Sequence, residues 1–163
     1  MVNADRAEFL RRFGGIYEHS PWVAEQAYAE AAGFDDPDRL AEIFAGCVDA
    51  SDDERKLALI RAHPDLAGRA AIAGKLTAAS NDEQASAGID RCTEEEFRRF
   101  QDLNRRYKEK FGFPFVMAVR NSNKHEILAA FAARLGNDAE TEFATAIAEI
   151  HKIARLRFQA NAT

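Results

Sequence analysis

Helix boundaries recur along this chain at short intervals, and they constrain its fold more than any other feature. Phe9, Leu10 and Phe13 stand at helical spacing within 5–13, and Gly14-Gly15 follows, where a helix ends readily. Ser20-Pro21 reads as a cap followed by a first-turn proline, opening a helix that carries Trp22, Val23 and Tyr28 toward Gly33. Asp36-Pro37 repeats that grammar ahead of Leu40, Ile43, Phe44 and Val48. Ser51 and Glu54 have the spacing of a reciprocal capping box for a helix with Leu57, Leu59 and Ile60. That helix must end near His63, because Pro64 disfavours helical geometry in the residue before it.

A short Ala-rich helix is expected over 65–73 and a connection over 74–79. Two more capping-box pairs follow, Ser80 with Glu83 and Thr93 with Glu96. The second opens a long helix with Phe97, Phe100, Asn104, Tyr107 and Phe111 on one face, which Gly112 and Pro114 break. Residues 115–119 are apolar, too short for a helix, and read as extended. Helices over 123–135 and 138–158 complete the chain, the last burying Phe143, Ile147, Ile150 and Ala154. No stretch alternates at strand spacing, and no linker or internal repeat interrupts the pattern. The pattern predicts an all-α fold: a single compact domain over 1–163, built from about eight helices.

A chain of 163 residues buries roughly two-thirds of its unfolded surface, so neither disulfide nor metal is needed to stabilise it. Its 22 basic and 27 acidic side chains give a net charge of −5 with no basic stripe, which argues against a nucleic-acid partner. Cys47 and Cys92 form no CxxC or zinc spacing and read as two thiols in a reducing compartment. The longest apolar run, GFPFVMAV, is far below the roughly 20 residues that span a bilayer, and the first residues lack the apolar core of a secretion signal. A cytoplasmic protein with no membrane partner is expected. One imbalance stands out: Phe supplies 12 of the 16 aromatic residues.

The four histidines, His19, His63, His125 and His151, show no i, i+3 or i, i+4 pairing, so no metal site is expected. Phosphate-binding glycine loops and the GxSxG elbow are absent as well. Three local features remain. His63-Pro64-Asp65 places a histidine on a fixed backbone break from which its ring can enter a cleft; it also suits a simple helix terminator favoured by the dipole. Ser80 to Gln84 reads either as a helix cap or, where that N-terminus faces a cavity, as a site for an anionic ligand. The segment around Phe115 is either core packing or an extended main chain whose free N–H and C=O groups read an amide-rich ligand.

Together these features carry a resemblance. EHSPW at 18–22, HPDLA at 63–67, SNDEQASAGI at 80–89, Asn104 with Tyr107 ahead of FGFPFVMAV at 111–119, and IARLR at 153–157 resemble the 2-oxo-4-hydroxy-4-carboxy-5-ureidoimidazoline (OHCU) decarboxylase family over nearly the whole chain. HPDLA, SxxEQ and FGFPF are its specific elements. The resemblance implies an all-helical carboxy-lyase, without metal or organic cofactor, that catalyses the last step of urate breakdown to (S)-allantoin. His63 matches the family's catalytic histidine and Pro64 its substrate-contacting neighbour. Ser80, Asn81, Asp82, Glu83 and Gln84 match the substrate-binding segment, Glu83 being the essential glutamate. Phe115, Val116, Met117, Ala118 and Val119 match the stretch whose backbone contacts the ligand, and Arg120 receives no role. The implied partner is the small molecule OHCU; family members commonly pair as homodimers, a state the sequence leaves open.

The residue types suit that chemistry. Loss of CO₂ sends an electron pair into the adjacent C=N bond of the substrate, which therefore carries its own electron sink. His63 is expected as general acid/base and Glu83 as the group that fixes the substrate hydroxyl. Phe111, Phe113 and Phe115 are expected to wall a dry pocket. Since the substrate is a carboxylate and the chain is acidic, binding must come from local groups, the helix N-terminus at Ser80 and the backbone near Phe115. Two alternatives stay open: a non-enzymatic helical interaction module, which would expose an apolar patch, and another small-molecule lyase or hydrolase using the same His and Glu.

Overall fold

The computed structural model of the chain describes residues 2–67 and 76–161. Among the described residues there are eight α-helices and no strand, as the boundary signals require. Their contacts separate into two compact units, one comprising 2–62 with 150–161 and the other 63–149.

The first unit contains α1 (Val2–Phe13), α2 (Trp22–Ala31), α3 (Pro37–Asp49), α4 (Asp53–Arg61) and the later part of α8 (Ala139–Asn161). Its core is a cluster of rings around the fully buried Phe44, with Phe9, Phe13, Tyr17 and Phe158 at centroid separations of 4.8 to 6.4 Å. Each buried Phe contributes roughly 1.5–3 kcal/mol and brings no hydroxyl that would need a partner. α1 ends where expected: a Cβ on Gly14 would lie 2.5 Å from the Leu10 carbonyl oxygen, so only glycine fits there.

The second unit contains the loop 63–67, α5 (Ala78–Ser86), a 3-10 turn (Ile89–Arg91), α6 (Glu94–Phe111), α7 (Lys124–Arg134) and the opening turns of α8. Thr93 and Glu96 form the complete reciprocal capping box at the start of α6. Gly112 closes the helix in the left-handed region, φ +78, donating its N–H to Lys108 O at 2.9 Å. The buried face of α6 is Phe100, Leu103, Asn104 and Tyr107; Phe97 and Phe111, like Phe143 in α8, are only half-buried. Residues 114–119 are neither helix nor strand.

Three serine caps are corrected. Ser20 Oγ donates back to Glu18 O at 2.8 Å, and Pro21 takes the cap position of α2. Ser51 Oγ donates to Val48 O at the end of α3, leaving Asp52 to accept Arg55 N–H at 2.8 Å as the cap of α4. Thr77, not Ser80, caps α5, accepting Ser80 N–H at 3.2 Å. In the first two cases the hydroxyl found a carbonyl acceptor two or three residues back, in the loop for Ser20 and at the end of α3 for Ser51, before it could serve the next helix. The helix expected over 65–73 is absent at 65–67, and its remainder, like the start of the connection over 74–79, lies outside the described residues.

Candidate active site

The site begins with the loop 63–67, where His63 is buried directly after α4. Ala67 stands at φ +53, a left-handed conformation that costs a residue with a Cβ about 1–2 kcal/mol. Polar side chains hold it there. Gln84 Oε1 accepts Ala67 N–H at 3.1 Å while Gln84 Nε2 donates to Asp65 O at 3.3 Å. From α6, Gln101 Nε2 donates to Ala67 O at 2.7 Å, Asn104 Nδ2 to Leu66 O at 2.9 Å, and Lys108 pairs with the Asp65 carboxylate. The spacing of Gln101, Asn104 and Lys108 puts all three on one face of the helix. Asn104 Oδ1 is buried with no hydrogen-bond partner among the described residues.

α5 sorts the expected substrate-binding segment by helical period. Ser80, Glu83 and Gln84 are buried on one face, at i, i+3 and i+4, whereas Asn81 and Asp82 are exposed. Asn81 instead borders a cavity of about 410 Å³ that also touches Ala67, Gln84, Cys92 and Phe97. Because Ser80 N–H is already bound to Thr77, it is not available as the anion-binding donor the sequence suggested. Gln84 ties this helix to the histidine loop, so both chemistry-bearing segments are fixed to one another and to α6.

The segment 115–119 is held from α7 and α8. Arg134 Nη1 donates to Val116 O at 2.7 Å, and Ala118 N–H donates to Glu149 Oε1 at 3.2 Å. Arg134 is in turn fixed by Glu142, which is 0 % exposed and accepts from Arg134 Nε at 2.9 Å, Tyr107 OH at 2.5 Å and Asn137 Nδ2 at 2.9 Å. Burial, followed by the bond to Glu142, pushes the Tyr107 hydroxyl well above its ordinary pKa, so it stays a donor. The rings at Phe111, Phe113 and Phe115 pack on one another and on their neighbours. They surround Tyr107 at 4.5, 6.0 and 5.5 Å, and Phe115 stacks on Phe131 at 3.9 Å. The two ring clusters account for much of the excess of Phe.

His19 and His125 are exposed, and His151, in the first unit, bridges Tyr17 OH and Asp49 at 2.9 Å each. Among the described residues no three His, Cys, Asp or Glu side chains converge to hold a metal ion, and no helix is long and apolar enough to cross a membrane. Arg134, Glu142, Glu149, Gln101 and Lys108 were not singled out in the sequence, since each acts on main-chain groups or on a partner far along the chain. The ends of EHSPW and IARLR acquire a structural meaning in the first unit, where Arg157 Nη2 pairs with Glu18 Oε2 at 3.0 Å.

Known proteins resemble this chain. Residues 3–159 match the family of OHCU decarboxylases. The chain is 45 % identical over 153 residues to the 2-oxo-4-hydroxy-4-carboxy-5-ureidoimidazoline decarboxylase of Haloferax volcanii, covering 94 % of this chain and 88 % of that one. With the corresponding protein of Mus musculus it shares 38 % over 155 residues, 94 % and 85 % of the two chains. A crystal structure of (S)-allantoin synthase superposes with a TM-score of 0.75 at 36 % identity, over 96 % of this chain and 50 % of that one. A crystal structure of OHCU decarboxylase in the presence of (S)-allantoin shares the fold, with a TM-score of 0.68 at 22 % identity over 85 % and 88 % of the two chains. The chain belongs to the OHCU decarboxylase family of carboxy-lyases.

Proposed function

We propose that the protein removes CO₂ from OHCU and releases (S)-allantoin, with His63 as general acid/base and Glu83 holding the substrate hydroxyl. The observation that carries this reading is the clamp on 63–67. Four side chains from two helices fix the loop behind His63, an investment in rigidity that a helix terminator does not need. The bond from the substrate's tetrahedral carbon to its carboxylate breaks, CO₂ leaves, and the electron pair enters the adjacent C=N bond. The resulting enol-like intermediate takes a proton on one face, which gives one enantiomer. His63 supplies the relay for that proton near neutral pH, and the substrate's own C=N bond makes a metal or organic cofactor unnecessary. Pro64 and Ser80 border the histidine and the glutamate, and main-chain groups of 115–119 take the ureido and ring carbonyl edges.

An interaction module would present an apolar patch, yet among the described residues Phe34, 45 % exposed, is the one exposed large hydrophobic side chain. The test is a coupled assay from urate through urate oxidase and hydroxyisourate hydrolase, following the optical activity of the allantoin formed. His63→Ala abolishes the acceleration while its helical circular dichroism stays intact; full activity in that variant removes His63 from the mechanism. Glu83 and Thr77 separate catalysis from capping. Thr77→Ala lowers stability by about 1 kcal/mol with turnover retained, whereas Glu83→Gln keeps stability and loses turnover by roughly a hundredfold.

A further inference from the structure

Residues Val116 and Met117 share one peptide group, and Met117 and Ala118 share the next. In a trans peptide the C=O and N–H point in opposite directions, and the chain has no cis bond among its described residues. Arg134 holds the Val116 carbonyl at 2.7 Å, so the other end of that group, Met117 N–H, points away from the guanidinium. Glu149 holds Ala118 N–H at 3.2 Å, so the Met117 carbonyl points away from the carboxylate. Neither Met117 group has a protein partner among the described residues. Met117 and Ala118 are also the half-buried positions in a segment where Phe115, Val116 and Val119 are buried.

We infer that Arg134 and Glu149 are positioning residues that present the N–H and C=O of Met117 as one donor–acceptor edge for an amide or ureido group of the substrate. The inference rests on the reading above, in which 115–119 holds the ligand. Both anchors are charged, and each acts on the far end of its peptide. A guanidinium drawing on the Val116 carbonyl makes Met117 N–H a stronger donor, and a carboxylate on Ala118 N–H makes the Met117 carbonyl a stronger acceptor. The guanidinium cannot swing aside: Glu142 fixes its Nε, and the Phe115 ring lies 4.3 Å from its Cζ. An N–H beside a C=O is the complement of the same pair on a ureido or ring amide. Recognition of this kind uses main chain alone and asks nothing of the side chain at 117.

Glu149 gives the cleaner test, because Arg134 also neutralises the buried Glu142. Glu149→Ala raises the KM for OHCU about tenfold, the scale of one well-oriented hydrogen bond, while kcat changes by less than about twofold. Glu149→Gln, which keeps an acceptor oxygen, recovers most of that loss. An unchanged KM in folded Glu149→Ala overturns the inference. Independently of any variant, ¹⁵N-labelled wild type titrated with (S)-allantoin shows the Met117 amide resonance moving at saturation. Shifts around His63 and Glu83 without one at Met117 overturn the inference. Absence of any shift, together with absence of OHCU turnover by the wild type, overturns the reading beneath it instead.

Discussion

Each unit of the molecule grips an irregular stretch of main chain with an arginine paired to a buried glutamate, and the two grips are completed differently. In the first unit Arg157, 7 % exposed, donates to Ile16 O at 3.1 Å and to Glu18 at 3.0 Å, Glu18 being 2 % exposed. The glutamate belongs to the stretch being held, so the grip closes on itself and the stretch becomes part of the fold. In the second unit Arg134 sits on α7 and Glu142 on α8, and the held segment contributes only the Val116 carbonyl. Arg134 Nη2 is buried with no hydrogen-bond partner among the described residues. A segment held from outside keeps most of its own donors and acceptors, whereas a stretch that closes on its own glutamate is bound into the fold, and the edge proposed at Met117 needs the first kind of grip.

Removing the glutamates tests that comparison most severely. Truncating one partner of a buried ion pair leaves the other charge uncompensated, so Glu18→Ala and Glu142→Ala each lose about 3–5 kcal/mol in urea denaturation. Glu142→Ala falls at the upper end, because it strips an acceptor from Tyr107 and Asn137 as well as from Arg134. A loss under about 1 kcal/mol at Glu142 would mean that water reaches the pair and that Val116 is not firmly held.

The histidine loop is held chiefly by neutral amides, with one ion pair, Lys108 to Asp65, that is open to solvent, so its effects are smaller. Gln84→Ala removes two hydrogen bonds to the main chain of 65–67 and lowers stability by about 1–3 kcal/mol. Turnover falls with it, because the backbone carrying His63 is released. Gln84→Glu keeps the acceptor for Ala67 N–H and loses the donor to Asp65 O, and its stability and turnover lie between those of wild type and Gln84→Ala. Full turnover in Gln84→Ala would show that the contacts from α6 suffice to hold the loop.

Boundaries set by one residue's geometry, Pro37 in the first turn of α3 and Gly112 in the left-handed region, were legible in the sequence, as was the Thr93–Glu96 pair. Caps were misread where two candidate acceptors stood within a few residues, as at Ser51 beside Asp52 and Ser80 after Thr77, because spacing alone does not say which oxygen takes the N–H. The site was legible as motifs, and helical period then separated Ser80, Glu83 and Gln84 from Asn81 and Asp82. The face of Gln101, Asn104 and Lys108 could be drawn from the sequence, but its targets could not. Main-chain carbonyls at 65–67 carry no residue signature, and the same holds for Val116 under Arg134. The packing of Phe113 and Phe115 around Tyr107 was not legible, because apolar composition does not say which ring meets which.

The smallest effect separates strain from packing in the stretch that Arg157 holds and in the histidine loop. Each contains one residue other than glycine in the left-handed region, His19 at φ +47 in the first unit and Ala67 at φ +53 in the second. Glycine relieves about 1–2 kcal/mol of steric cost there and gives back about 0.5–1 kcal/mol in unfolded-chain entropy. His19 is exposed, so His19→Gly gains up to about 1 kcal/mol, read as a rise in the urea midpoint. Ala67 is buried, and removing its methyl forfeits a further ~0.8 kcal/mol of burial, so Ala67→Gly leaves the midpoint nearly unmoved while keeping both main-chain bonds to Gln84 and Gln101. An equal gain at both positions would mean that the Ala67 methyl adds nothing to packing and that the polar clamp alone sets this loop. A loss at Ala67 well beyond the burial value would mean the reverse, that the methyl anchors the loop and the amides follow it.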